Sequence, residues 1–168
     1  MRTPKARTKR TPPGAMTSGA ADAEELSRTV AAIYQEHYQP LVRLAVLLVS
    51  DLATAEEIVQ EAFADLHGTW RALPGQDAAL RYMRRSLIRR SRAVAAQQAG
   101  SDAGPEDGLL PALRALPARE REVLVLRYFA DLPEAEIALL TGMRIPVVRT
   151  YATRGMSSLR AGLPGNVA

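Results

Sequence analysis

Residues 118–159, AREREVLVLRYFADLPEAEIALLTGMRIPVVRTYATRGMSSL, constrain the fold more tightly than any other stretch, because they divide into three short helices with a sharp turn before the last. Pro117 opens the first helix from its first turn, where a missing N–H costs nothing. Val123, Leu124 and Leu126 carry an apolar stripe through it as far as Phe129. Pro133 opens the second in the same way, and Ile137, Ala138 and Leu140 give that helix one buried face. Gly142 then supplies a residue able to turn the chain with positive φ. On the third helix Val148, Ala152, Met156, Leu159 and Leu163 recur at steps of three and four, which leaves Pro146, Arg149, Thr150, Thr153 and Ser157 on the other side. The pattern is that of a helix-turn-helix.

Its outward residues are of the kind that touch DNA. Arg144, Pro146, Arg149, Thr150, Thr153 and Arg154 are the candidates: N-terminal residues of the last helix meet base edges, and the others meet the backbone. From residue 138 onward the chain holds Arg144, Arg149, Arg154 and Arg160 and no acid, so the segment is drawn to phosphate. A helical hairpin with a solvated basic face is the plainer reading; the turn spacing and the missing acid favour DNA.

Composition excludes several other classes. The chain has 168 residues, 47% of them hydrophobic, enough to pack one domain or two small ones. Cysteine is absent, and His37 and His67 lie far apart, so neither a metal site nor a disulfide is expected. No nucleophile–base pair and no phosphate loop is present; no catalytic residue, no cofactor and no enzymatic activity are expected. No apolar run approaches the roughly 20 residues of a membrane span, and no apolar segment follows the basic start as a signal peptide requires. A soluble cytoplasmic protein without membrane insertion is the expectation.

The charges are segregated, and this says more than the net +4. Between residues 22 and 66 nine acids face two arginines, Arg28 and Arg43. Between residues 67 and 95 Arg71, Arg81, Arg84, Arg85, Arg89, Arg90 and Arg92 oppose Asp77 alone. An acidic surface suits a protein partner, and a basic helix suits nucleic acid. A solubilising face carries mixed signs, which the second stretch lacks.

The expected organisation is all-α, two small helical domains joined by a flexible linker. Residues 1–23 read as a disordered basic tail, 24–98 as a helical domain, 99–108 as a linker rich in Gly, Pro, Ser and Asp, 109–163 as the helix-turn-helix domain and 164–168 as a disordered tail. Met16 offers an alternative translation start. In the first domain the spacing predicts a helix over 24–49 that Pro40 kinks or breaks, a second over 53–69 and a third over 77–97. The second has Ala55, Ile58, Val59, Ala62, Phe63 and Leu66 inward and Glu57, Gln60, Glu61 and Asp65 outward. Thr54 with Glu57 forms a capping box, and Asp51 is the competing cap. On the third, Leu80, Met83, Leu87, Val94 and Ile88 face inward.

At this point the chain resembles a known family, the extracytoplasmic-function sigma factors of bacterial RNA polymerase, in their short two-domain actinobacterial form. The likeness covers about residues 26–163. It is carried in the first half by Tyr34, His37, Tyr38, Pro40, Leu41, the run DLATAEEIVQEAF from Asp51, Trp70 and the segment YMRR from Tyr82. In the second half it rests on Leu116, Pro117, Glu120, Arg121, Leu126, Arg127, Tyr128, the segment AEIA from Ala135, Gly142, Val148, Arg149 and Arg154. Each is weak alone; their order and spacing are specific.

The resemblance implies a sigma factor that binds core RNA polymerase and directs promoter-specific initiation, opening the minus-ten element and reading the minus-thirty-five element. It implies that Asp51, Glu57, Gln60 and Glu61 face the polymerase, on the clamp helices of the largest subunit, with the second domain at the flap of the second-largest. It implies that Arg81, Tyr82, Arg84, Arg85, Arg89, Arg90 and Arg92 meet the minus-ten DNA, for which a melting polyanion and unstacking bases supply the physical reason. The recognition-helix residues above would read the minus-thirty-five element. Promoter DNA and an anti-sigma factor are the further partners implied.

Departures from the family's habit fall at Arg89, where Asn is common and an amide reads a base edge differently, and at Arg144, where Ser would cap the helix. Pro133 likewise replaces a capping Ser, and Tyr151 stands where a small or basic residue is common. Two other classes stay open on sequence: a helix-turn-helix regulator that never joins polymerase, and a divergent sigma-like protein that binds polymerase but initiates poorly.

Overall fold

The computed structural model describes residues 17–97 and 108–163, and among them seven α-helices and no strand. They are α1 (Thr17–Val49), α2 (Leu52–Thr69), α3 (Gln76–Gln97), α4 (Leu109–Ala115), α5 (Ala118–Leu124), α6 (Glu134–Thr141) and α7 (Ile145–Gly162). The all-α expectation holds. The proposed linker, save Gly108, and the tail residues 1–16 and 164–168 lie outside the described residues.

One expectation for α1 is corrected, and of the two offered for Pro40 the break is not found. The helix begins at Thr17, so residues 17–23, expected in a disordered tail, are helical. Pro40 lies inside the helix without ending it. Pro40 and Glu36 are both exposed, so the carbonyl that loses its N–H partner faces water, while Leu41, Leu44, Ala45 and Leu48 are buried against α2 and hold the turn together.

Ser50, with φ of 61°, ends α1, and Asp51 caps α2: its carboxylate Oδ2 accepts the Thr54 N–H at 2.7 Å. Asp51 is thus the cap, not Thr54. That hydrogen bond holds the Asp51 carboxyl below its ordinary range. A depressed folded-state value means a contribution present above the ordinary carboxylate range and lost as pH falls through it. Thermal melts should therefore show Asp51→Ala lowering the melting temperature at neutral pH and converging on wild type at strongly acidic pH. Asp51→Asn, which caps without a charge, should keep most of the stability.

The buried faces of α1, α2 and α3 form one core through Ile33, Leu44, Val59, Leu66, Met83 and Leu87, with Trp70 packed half-buried at its edge in a 3₁₀ turn (Trp70–Ala72). That core does not stop at the linker: Leu113, Leu116, Leu124, Val125 and Leu159 belong to it. A second core, around Val123, Leu126, Ile137, Val148 and Ala152, takes in Ile88 from α3. The helices before and after the linker are packed against each other.

Within the second set, Pro117 and Pro133 sit one residue ahead of the positions expected for them, as N-caps with extended ψ of 138° and 151°. Gly142 ends α6 at φ 73°, the left-handed cap that its sequence position called for. α5 runs into a π-helical turn (Val125–Phe129), where the Ala130 N–H reaches back to the Val125 carbonyl at 3.1 Å. The wider turn leaves Tyr128 and Phe129 exposed beside buried Val125 and Leu126. Gly155 lets α7 close on α5: a Cβ there would lie 3.1 Å from Glu120 Cβ and Leu124 Cγ. Gly155→Leu should destabilise the fold by about 2 kcal/mol through overpacking, measured by urea denaturation.

Candidate nucleic-acid interface

The recognition surface forms on α7. Val148, Ala152, Gly155 and Leu159 are its buried side, and Arg144, Pro146, Arg149, Thr150, Thr153 and Arg154 are all exposed. Arg144 is the N-cap, extended at ψ 148° and without a side-chain cap, and Pro146 presets the first turn. The hydroxyls of Thr150 and Thr153 donate to the carbonyls of Pro146 and Arg149, each at 3.0 Å. Their methyl groups and hydroxyl lone pairs stay available to a ligand.

Arg149 is not free. Its Nε donates to Glu134 Oε2 at 2.7 Å, and Arg127 Nη1 donates to the other carboxylate oxygen at 2.8 Å. The hydrogen bond from Arg149, with Arg127 contributing, holds the Glu134 carboxyl below its ordinary range. Neither Glu134 nor Arg127 was among the candidates read from sequence. An acid at the first position of α6 looks like an ordinary helix-dipole residue until its neighbours in space are known.

The arginines of α3 divide into two groups. Arg81, Arg85 and Arg89, four residues apart, are exposed on one face; among the described residues no carboxylate lies within 4.0 Å of Arg81 or Arg85, and Arg89 reaches only Asp65, at 3.8 Å. Tyr82 is half-buried beside them. Arg84, Arg90 and Arg92 are engaged. Arg90 pairs with Glu61 and, at 2.7 Å, with Asp65 on α2. Arg84 meets Glu136 of α6 at 3.4 Å. Arg92 grips Glu122 of α5 through two hydrogen bonds, at 2.9 and 2.5 Å, and donates to the Thr141 carbonyl at 3.0 Å.

Glu122 is the unexpected member. Its side chain is 5% exposed, and the charge that balances it comes from Arg92, thirty residues earlier, with Arg119 at 3.6 Å. One signal for it lay in the sequence: Glu122 is four residues before Leu126, on the apolar side of its helix, where a carboxylate needs a buried partner. A cleft of about 550 Å³ lies between the two sets, lined on one side by Tyr82, Arg85, Arg89 and Arg92 and on the other by Leu140, Thr141 and Gly142. The structure brings the α3 residues up to the turn of the helix-turn-helix.

On α2, Glu57, Gln60 and Glu61 are exposed as expected. Glu61 is occupied by Arg90 and Asp51 by its cap, which leaves Glu57 and Gln60 without a hydrogen-bond partner among the described residues. No group of three or more metal-ligating side chains occurs among the described residues, and no described helix is long and apolar enough to cross a membrane.

Residues 108–159 match the family described as sigma-70, region 4. Over 149 residues, 78% of this chain and 82% of the relative, the sequence is 28% identical to the RNA polymerase sigma-E factor of Streptomyces antibioticus. Over 140 residues, 73% of this chain and 79% of the relative, it is 27% identical to the RNA polymerase sigma-E factor of Streptomyces coelicolor. Among solved structures the fold is similar to the sigma factor RpoE of Bartonella quintana, crystallised with the anti-sigma factor NepR. That match has a TM-score of 0.62 at 16% identity and covers 81% of this chain and 99% of that one.

Proposed function

We infer that this chain belongs to the extracytoplasmic-function sigma factors of bacterial RNA polymerase and directs transcription initiation as an RNA polymerase sigma factor. The observation that carries this reading is that the matched residues, 108–159, span α4 to α6 and most of α7, which presents Arg149, Thr150, Thr153 and Arg154 outward.

In this reading α7 enters the major groove of the minus-thirty-five element. The open face of α3, Arg81, Arg85 and Arg89 with Tyr82, takes the minus-ten strand as it melts, its charge meeting phosphate and its ring an unstacked base. Arg84, Arg90 and Arg92 join that face only when their carboxylates are released. Glu57 and Gln60, with Glu61 once Arg90 lets go, face the clamp helices of core polymerase, and the second helix set lies at the flap. The chain is a transcription factor and not an enzyme. An anti-sigma factor is a further partner, since the structurally similar sigma factor was captured with one.

The packed arrangement bears on how both elements are read. Their centres are about 25 base pairs apart, roughly 85 Å along B-DNA at 3.4 Å per base pair. Arg92 lies 3.0 Å from the turn before α7. The two helix sets therefore separate before both elements are held at once.

In vitro transcription with core polymerase on a genomic promoter library tests the function: a discrete set of start sites that depends on this chain is expected. A homodimer that binds DNA and never enters a polymerase complex would overturn it in favour of a free regulator. Two narrower results are expected. Glu57→Lys should weaken the affinity for core polymerase with helicity unchanged, read by fluorescence anisotropy and circular dichroism. Arg149→Ala should cost about 1–3 kcal/mol of discrimination at one base position if Arg149 reads a guanine; an even loss across sequences would make it a phosphate contact.

A further inference from the structure

Glu134 is the first residue of α6, and its carboxylate ties two other elements together. Arg127, half-buried on the π turn, holds one oxygen; Arg149, on the recognition helix, holds the other. The π turn is itself fixed by the Ala130 N–H on the Val125 carbonyl and the Leu132 N–H on the Leu126 carbonyl, each at 3.1 Å. The carboxylate is thus anchored from behind, at 24% side-chain exposure, and Arg149 extends from it at 67%.

The atom used on Arg149 matters. A guanidinium carries five N–H donors in a planar fork. Its bond to Glu134 is made at Nε, on the inner edge, which leaves both Nη groups at the outer end open. Bidentate recognition of guanine, through O6 and N7, takes two adjacent donors of this kind. An exposed arginine otherwise samples many rotamers, and fixing one before DNA arrives lowers the entropy lost on binding.

We propose that Glu134 is a positioning residue for sequence reading: it holds the Arg149 side chain extended from α7, with the outer end of its guanidinium presented to a guanine edge in the major groove. This rests on the reading of α7 as the helix that meets the upstream promoter element. A simple role for Glu134 as a first-turn acid on α6 requires no arginine from another helix, and here there are two. Because Arg127 is the second, the triad keeps a net charge of +1, so the carboxylate orients Arg149 without cancelling the attraction to DNA.

The test is selection by holoenzyme, reconstituted from the full chain and core polymerase, on a promoter library randomised through the upstream element. Wild type should select guanine at one position, and Arg149→Ala should flatten that position alone. Glu134→Ala should reduce the same preference about tenfold and leave the other positions as they are, with Glu134→Gln, which keeps an acceptor, in between. The double variant Glu134→Ala/Arg149→Ala should be no less selective than Arg149→Ala. If Glu134→Ala does not fold, judged by circular dichroism, Glu134→Gln decides by the same criterion. An intact guanine preference in the Glu134 variants beside a flattened one in Arg149→Ala sinks the positioning role alone. An even loss at all positions, or additive losses in the double variant, does the same. A wild-type holoenzyme that selects no upstream element overturns both this inference and the reading beneath it.

Discussion

Arg92→Ala is expected to destabilise the protein by about 3 kcal/mol, the lower end of the cost of breaking a buried ion pair. The substitution leaves the Glu122 carboxylate in a site where its side chain is 5% exposed, with Arg119 at 3.6 Å as its remaining cation. It also removes the donor to the Thr141 carbonyl. The low end applies because the Arg92 side chain keeps 33% exposure, so part of its charge is already solvated. Urea denaturation should show a lower midpoint, and the double variant Arg92→Met/Glu122→Leu should recover most of the loss, because an apolar pair of similar volume needs no counter-charge. A cost under about 0.5 kcal/mol, typical of an exposed pair, would mean that this contact does not hold α3 to α5.

Ile88→Ala should cost a similar amount, about 3 kcal/mol, and should change how the protein unfolds as well as where. Ile88 is 2% exposed and is the α3 side chain that completes the core formed by Val123, Leu126, Ile137 and Val148. Its removal leaves a cavity on the seam between the two helix sets. Trp70, the single tryptophan, reports on the first set, and far-ultraviolet circular dichroism reports on both. In wild type the two probes should give one transition, because the cores are shared. In Ile88→Ala they should separate. Coincident transitions at an unchanged midpoint would show that Ile88 does not couple the sets.

Much of the second helix set was legible before any coordinates. Gly142 takes φ of 73° because the spacing of apolar residues on either side of it leaves room only for a tight reversal, and that constraint is local. Pro146, Arg149, Thr150, Thr153 and Arg154 come out exposed because a period of 3.6 with Val148, Ala152 and Leu159 buried dictates what lies opposite, whereas Arg144 is exposed as the extended N-cap. Pro40 was expected to kink or break α1, and it does not end the helix. Proline's cost depends on whether the carbonyl it orphans faces water, and that is decided by which side of α1 packs on α2.

The arginines of α3 mark the limit of the sequence more clearly. Their period and sign identify a basic helix, and nothing within the helix tells Arg85, which is open, from Arg92, which is bound. Their partners Glu61, Asp65, Glu122 and Glu136 lie 25 to 52 residues away, so only the packing of α3 against α2, α5 and α6 selects who pairs with whom. Arg149 is a second case, since its carboxylate is fifteen residues earlier and reaches it across the helix-turn-helix.

The sequence by itself determined six of the seven described helices, though not α4 or the first turns of α1, together with their buried stripes and the sign of each exposed face, because these follow from backbone conformation and from periods shorter than two turns. Only the tertiary structure decided that the two helix sets share their cores, that Glu122 is buried against Arg92, and that Glu134 holds Arg149 by its inner edge. Charge acts through space over a few ångströms, and distance along the chain says nothing about which charges the fold brings that close.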